Sequence, residues 1–253
     1  MRTKKTMVIL IATVFAFVLL FSCILLFSVK KVDIEFNLAT DVETQEIEQK
    51  LNVFCGENLL FLDCDEIVNI IKEYPYFELV SVGKRFPNVI SVNLKERVET
   101  YYLLTEDKVY VTDKDGVLLN NFDVSTFDGN VPRNIITLSF EGVVFSEQIL
   151  GNKIICDNQQ IFDVTLDMAK SVDLTDCIKS IKVVNATEQQ DVYFSTYTGV
   201  NILVTEALDR GVDKTVVGFN AYNEKTDDYI KTYNNIIVVL KDDGTILPVW
   251  TDK

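Results

Sequence analysis

The chain has 253 residues, with 24 Lys and Arg against 38 Asp and Glu and no histidine, for a formal net charge of −14. The missing histidine removes Ser-His-Asp and Cys-His catalysis and the commonest zinc ligand. All acids lie after residue 31, so from residue 32 onward 19 basic residues meet 38 acids, a net −19 that argues against binding to nucleic acid or to an anionic membrane surface.

Residues 7–29, MVILIATVFAFVLLFSCILLFSV, form a run of 23 residues without a charge. As a helix it is about 35 Å long, enough to cross a hydrocarbon core of about 30 Å with slight tilt. Lipid tolerates only backbone that satisfies its own hydrogen bonds. A cleaved signal peptide carries a shorter apolar stretch, roughly 7–15 residues, and small residues at the cut; this run ends instead in Phe27-Ser28-Val29-Lys30-Lys31. Leu20-Phe21-Ser22-Cys23 raises a lipoprotein reading, but the run continues six residues past Cys23, where a lipid-modified cysteine would close it. The expectation is a retained single span after a cytoplasmic tail at 1–6. Arg2, Lys4 and Lys5 precede the span without an acid, whereas Asp33 and Glu35 soon follow Lys30 and Lys31, so the N-terminus stays inside and the C-terminus lies outside. The 224 residues from 30 to 253 suffice for one or two domains with a sizeable core.

Beyond the span, residues 32–38 alternate apolar and polar, the period of a half-buried strand. Thr40 or Asp41 caps a short helix over 43–52, with Ile47 and Leu51 on one face. Cys55-Gly56-Glu57-Asn58 is a turn, and Leu59, Leu60, Phe61 and Leu62 are expected to plug the core. Asp63, with Glu66 three residues on, opens a second amphipathic helix carrying Ile67, Ile70, Ile71 and Tyr74, which Pro75 closes. Alternation resumes over 77–85 and 89–97 around Pro87-Asn88, giving a hairpin. The order strand, helix, helix, strand, strand places both helices on one face of a small three-stranded sheet and leaves the other face or an edge for a partner strand.

A short basic tail, one span and this βααββ unit resemble the FtsQ/DivIB family of bacterial cell-division proteins, whose membrane-proximal unit is a POTRA domain. The resemblance is carried by Gly56-Glu57-Asn58-Leu59-Leu60-Phe61-Leu62-Asp63, Tyr74-Pro75-Tyr76-Phe77, Val82-Gly83-Lys84-Arg85-Phe86-Pro87-Asn88 and Val92-Asn93-Leu94-Lys95-Glu96-Arg97-Val98. Within these, Gly56, Asn58, Arg85, Pro87, Glu96 and Arg97 are the family-motif positions. The family's Glu-Arg-x-Pro-x-Ala close is only half kept, since Val98-Glu99-Thr100 replaces the Pro-x-Ala part. Glu96 and Arg97, being adjacent on a strand, point to opposite faces and are not an ion pair.

Residues 98–253 read as a mainly antiparallel β domain with two helices. Strands are expected at 101–104, 108–111, 116–119, 135–138, 177–183, 191–195 and 200–204, helices over 158–172 and 213–225, a polar loop over 122–133, and a closing hairpin over 235–250. Asp113-Lys114-Asp115-Gly116 lacks the spaced acids and later glutamate of a calcium loop and is read as a turn; the resemblance agrees, since the family carries a Y-x-D-x-x-G step here.

Chemistry is sparse. There is no G-x-S-x-G, G-x-G-x-x-G, P-loop, H-E-x-x-H or C-x-x-C, and neither a cofactor nor a metal is expected. Outside the span, Cys55, Cys64, Cys156 and Cys177 allow three disulfide pairings or none, with Cys55–Cys64 close enough to staple one loop. Asn185-Ala186-Thr187 fits a glycosylation sequon. The expectation is a non-enzymatic scaffold at the division septum. The resemblance implies partners similar to FtsL and FtsB/DivIC and, through them, septal wall synthases, with a partner strand added near the C-terminus at Lys241, Asp243, Gly244 and Trp250. The sole tryptophan is read either as an interface anchor or as packing against its own domain. The competing readings are a membrane-anchored hydrolase with a carboxylate site and a POTRA-bearing export or receptor component.

Overall fold

The computed structural model describes residues 2–37, 41–172, 177–186, 189–225, 230 and 232–252. Contacts divide the chain into two units, Met1–Arg97 and Val98–Lys253.

The first unit begins with helix α1, Arg2–Leu26. It ends before the expected 29. Phe27, Ser28 and Val29 run alongside residues 56–59 instead: Leu59 N–H donates to Phe27 O at 2.7 Å, Val29 N–H to Glu57 O and Gly56 N–H to Val29 O, both at 2.8 Å. These bonds take the groups a further helical turn would use, and Val29 is buried in the core of the unit. Among the described residues no helix is long and apolar enough to cross a membrane; within α1 the described side chains are those of Met7 and residues 10–26.

Strand β1 is Lys31–Asn37, helix α2 is Asp41–Leu51 and helix α3 is Cys64–Lys72. Leu38 and Thr40, expected at the strand end and the cap, lie outside the described residues. Asp63 does cap α3, but its carboxylate accepts the N–H of Asp65 at 2.9 Å. Strands β2, Phe77–Arg85, and β3, Val89–Glu96, form the expected antiparallel hairpin, with a bulge between Leu79 and Ser81. Strand β1 pairs with β3 in parallel, giving the order β1-β3-β2.

Ile47 and Leu51 from α2 and Ile67 and Ile71 from α3 bury against Phe77 and the β3 row Ile90, Val92 and Leu94. Of the four apolar residues expected to plug this core, Leu59 and Leu62 do so, whereas Leu60 is 44 % and Phe61 84 % exposed. The cause is local. Asn58 Oδ1 accepts Leu60 N–H and Asn58 O accepts the N–H groups of Phe61 and Leu62, all at 3.0 Å, so the segment is a turn and only side chains three apart face inward.

The second unit is built on one nine-stranded mixed sheet. Its strands are β4 Tyr101–Leu104, β5 Lys108–Thr112, β6 Leu118–Asp123, β7 Ile136–Glu141, β8 Ile178–Ala186, β9 Gln189–Thr196, β10 Asn201–Val204, β11 Asn235–Leu240 and β12 Ile246–Thr251. They run in the order β12-β11-β10-β9-β8-β7-β4-β5-β6. Five of the eight pairings are antiparallel; β4–β7, β7–β8 and β10–β11 are parallel. Helices α4, Gln159–Lys170, and α5, Gly211–Asn223, supply the crossovers from β7 to β8 and from β10 to β11, whereas β4 reaches β7 through β5 and β6. Their side chains join one core with Ile181, Val183, Phe194, Ile202, Ile236 and Val238.

The turn at 113–116 is confirmed: Gly116 has φ +77°, and the Asp113 carboxylate accepts the N–H groups of Asp115 and Val117, both at 2.9 Å. The polar loop is less polar in effect than in composition, because Phe122 and Phe127 stack edgewise with Tyr102. All five cysteines are free thiols, so the Cys55–Cys64 staple is not formed, and burial pushes the Cys156 thiol up to about 11. Of the sequon, Thr187 lies outside the described residues.

Candidate functional site

Strand β12 is the last strand of the sheet and, among the described residues, has a neighbour on one side only, β11, to which it pairs without a bulge from Leu240↔Ile246 to Asn235↔Thr251. The hairpin turn between them is set by its sequence. Gly244 sits at φ +82°, where a side chain would be strained, and its N–H donates to Lys241 O at 2.8 Å. The Asp243 carboxylate accepts Thr245 N–H at 2.9 Å, and this bond with the Thr245 hydroxyl holds its carboxyl below the usual range. Lys241 N–H donates to Thr245 O at 2.9 Å.

That last bond fixes the phase of the ladder. Antiparallel pairs alternate between hydrogen-bonded and non-bonded, so with Lys241–Thr245 bonded, the pairs at Ile246, Pro248 and Trp250 are non-bonded and their backbone groups face away from β11. Pro248 has no N–H to offer at that outer side. A proline at this parity leaves the β11 ladder intact while removing one donor from the open edge, a known way of blunting edges against indiscriminate pairing.

A second unit of the site lies outside the hairpin. Arg210, at φ +54°, precedes α5; its Nη1 donates to Gly244 O and its Nε to the Asp213 carboxylate, both at 3.0 Å. The loop carrying Arg210 is pinned from below by Lys214, which is fully buried and whose ammonium donates to Thr205 O at 2.9 Å and Glu206 O at 3.2 Å. Burial lowers the Lys214 pKa. The first turn of α5 therefore holds the tip of the edge hairpin.

Lys241, Asp243 and Gly244 are thus brought together at the exposed turn, while Trp250 lies six residues further along, about 20 Å at strand rise. Trp250 is half-buried, pairs with Ile236 and packs against the domain core. Sequence reasoning missed Ile246, Pro248 and Arg210. The first two were legible from ladder alternation counted out from Gly244; Arg210, 34 residues from its acceptor, carried no local signal.

The family-motif residues fall in the first unit. Gly56 has φ +99° and bonds Val29, and Asn58 caps its own turn. Pro87 forms the hairpin tip, Glu96 ends β3 opposite Phe77, and Arg97 N–H donates to Tyr76 O at 2.7 Å. Arg85 crosses the sheet to the Asp33 carboxylate, which Lys31 also holds at 2.7 Å. The Lys31 bond and then the Arg85 bond keep the Asp33 carboxyl below its ordinary value. A group shifted down contributes stability above the ordinary carboxylate range, and the contribution is lost as pH falls through its own lower value. An NMR titration is expected to place Asp33 below the ordinary aspartate value, and Arg85→Gln to raise it part of the way back; an Asp33 titrating at or above the ordinary value counts against the triad.

The carboxyls of Asp33, Asp128 and Asp243 are shifted down, opposite to what a general acid needs. Among the described residues no group of His, Cys, Asp and Glu is placed to hold a metal ion.

Residues 27–97 match the POTRA domain of FtsQ type. The chain is 25 % identical over 201 residues to the cell division protein DivIB of Clostridium acetobutylicum, covering 72 % of this chain and 76 % of that protein. It is 23 % identical over 190 residues to the DivIB of Clostridium tetani, covering 74 % and 68 %. The solved major extracytoplasmic domain of the trans isomer of DivIB from Geobacillus stearothermophilus aligns at 12 % identity over 48 % of this chain and 87 % of that one, with a TM-score of 0.27.

Proposed function

The chain belongs to the FtsQ/DivIB family, and from that premise we propose that it is a non-enzymatic scaffold of the bacterial divisome. It links division proteins to septal wall synthesis through extracytoplasmic contacts. The observation that carries this reading is the regular open edge at β12, whose turn and outer backbone are held in place for a partner strand. The partners we assign are similar to FtsL and FtsB/DivIC, with wall synthases reached through them; Lys241, Asp243 and Gly244 form the turn that leads into the receiving strand, and Trp250 lies on that strand.

The same reading divides the chain into a cytoplasmic tail at 1–6, a span at 7–29, a POTRA-like unit at 30–97 and a β domain at 98–253. The span is supported by the uncharged run and by the exposure of the apolar side chains along α1, from Met7 at 64 % to Leu26 at 55 %. The N-terminus is then cytoplasmic and the two folded units extracytoplasmic.

Depletion tests the function. Cells losing the protein are expected to grow as undivided filaments while wall synthesis along their sides continues, and a fluorescent fusion to collect at the septum. Normal division with wall or export defects elsewhere, or a fusion spread evenly over the envelope, would remove the division reading.

A further inference from the structure

The point where α1 meets its unit carries an apolar cluster that the scaffold reading leaves unused. Phe61 is 84 %, Phe86 58 % and Leu60 44 % exposed. They are not scattered. Leu59 is bonded directly to Phe27, the first residue past α1, so Phe61 lies only two residues, about 7 Å of chain, from the helix end. The Phe86 ring sits edgewise on the Phe27 ring at 5.9 Å. The Lys84 ammonium reaches Leu60 O at 3.4 Å, tying the hairpin tip to the same turn.

The charge of this corner also departs from the rest of the chain. Segments 27–33, 56–62 and 84–88 hold four basic residues, Lys30, Lys31, Lys84 and Arg85, against Asp33 and Glu57. A net positive corner with projecting aromatics, inside a region of net charge −19, is the composition of a headgroup-level anchor and not of a solvated face. Residue 32 onward repels anionic lipid on average, but repulsion is screened within about a Debye length, ~8 Å in physiological salt, and the local sign decides at contact.

We propose that Leu60, Phe61 and Phe86 insert at the headgroup level of the bilayer that α1 enters, with Lys30 and Lys84 toward anionic phosphates, so that the βααββ unit is seated on the membrane surface. The occupant is phospholipid because the helix end and the cluster are joined by backbone bonds and so stand at one depth. The inference rests on the reading of α1 as a span. It explains why a residue as apolar as Phe61 is left outside a core that accepts Leu59 and Leu62 on either side of the turn.

The test uses the full chain in nanodiscs of phosphatidylglycerol and phosphatidylethanolamine, with or without brominated acyl chains. Two variants are made in a Trp250→Phe background, Phe61→Trp and Phe17→Trp. Both indoles are expected to lose most of their emission in brominated discs, the one at 61 most strongly with bromine near the headgroup. Quenching at 17 without quenching at 61 leaves the span in place and overturns the seat. Quenching at neither position overturns the span reading and the seat with it. An indole at 61 that lipid leaves unquenched but that an added partner protein shields from iodide overturns the seat in favour of a protein contact. Because Phe61 is exposed, its replacement is expected to leave the unfolding midpoint unchanged, which separates a lost seat from a lost fold.

Discussion

A valine at position 218 is expected to destabilise the second unit by about 1–3 kcal/mol, the range for overpacking a well-filled core. Gly218 lies on the face of α5 that meets the sheet. A Cβ built there falls 2.8 Å from Ile202 Cγ2 and 2.9 Å from Val238 Cγ2, on β10 and β11. Both partners are fully buried, so neither can move without displacing others. Helix propensity runs the other way: alanine in a helix interior is favoured over glycine by roughly 1 kcal/mol. The sign of Gly218→Ala therefore decides which effect wins, and the contact distances say it will be destabilising. Urea unfolding of the two variants against Val212→Ala, an exposed position on the same helix, measures this. An alanine at 218 that raises the midpoint would mean that α5 is not held against β10 and β11 as closely as it is. Since α5 also packs on β12 and its first turn holds Gly244, the same variants are expected to weaken partner binding.

Replacing Pro248 by alanine is expected to tighten strand addition several-fold, and Ile246→Pro to weaken it on the order of tenfold, because a net backbone hydrogen bond contributes about 0.5–1.5 kcal/mol and tenfold is about 1.4 kcal/mol. The reasoning is the ladder phase. Residues 246 and 248 present their backbone away from β11, so Pro248→Ala restores a donor to the open edge and Ile246→Pro removes one, while the bonds to β11 stay as they are. Ile246 also packs against the core, so Ile246→Ala is the required companion: it loses the side chain and keeps the donor. Titration with the extracytoplasmic part of a partner similar to FtsB/DivIC reads the affinities. If Pro248→Ala leaves affinity unchanged, or Ile246→Ala falls as far as Ile246→Pro, the partner does not bind through this edge. Self-association of Pro248→Ala is the expected side effect of removing the proline guard.

How much of this was legible follows from what each pattern encodes. The uncharged run at 7–29 and the strand periods over 32–38, 77–85 and 89–97 needed only neighbours in sequence; the three strands stand within a residue of those positions, while α1 runs from Arg2 to Leu26. The exceptions have local causes that hydrophobicity does not report. Leu60 and Phe61 are as apolar as Leu59, but the Asn58 turn aims them outward. Val29 is as apolar as Leu26, but pairing with residues 56–59 ends the helix before it.

For the candidate site, Asp243-Gly244 announced a turn because only glycine tolerates that φ cheaply. Nothing in residues 246–251 says that they form an edge. That depends on which strand lies beside which, and β10 beside β11 or β4 beside β7 are pairings across 34 or 35 residues. Lys214 reads as a solvent-facing helix residue until the fold closes over it and two loop carbonyls take the place of water.

Backbone preference and the spacing of apolar side chains along one stretch set the βααββ order, the turn chemistry and the positions of most elements, and the motifs within them carry the resemblance to the FtsQ/DivIB family. That β12 is open on one side, that Arg210 reaches Gly244, and that Phe61 and Phe86 gather at the end of α1 emerge only in the folded molecule. Each of these is a meeting of residues far apart in the chain, and its energy exists only once the intervening segments have packed.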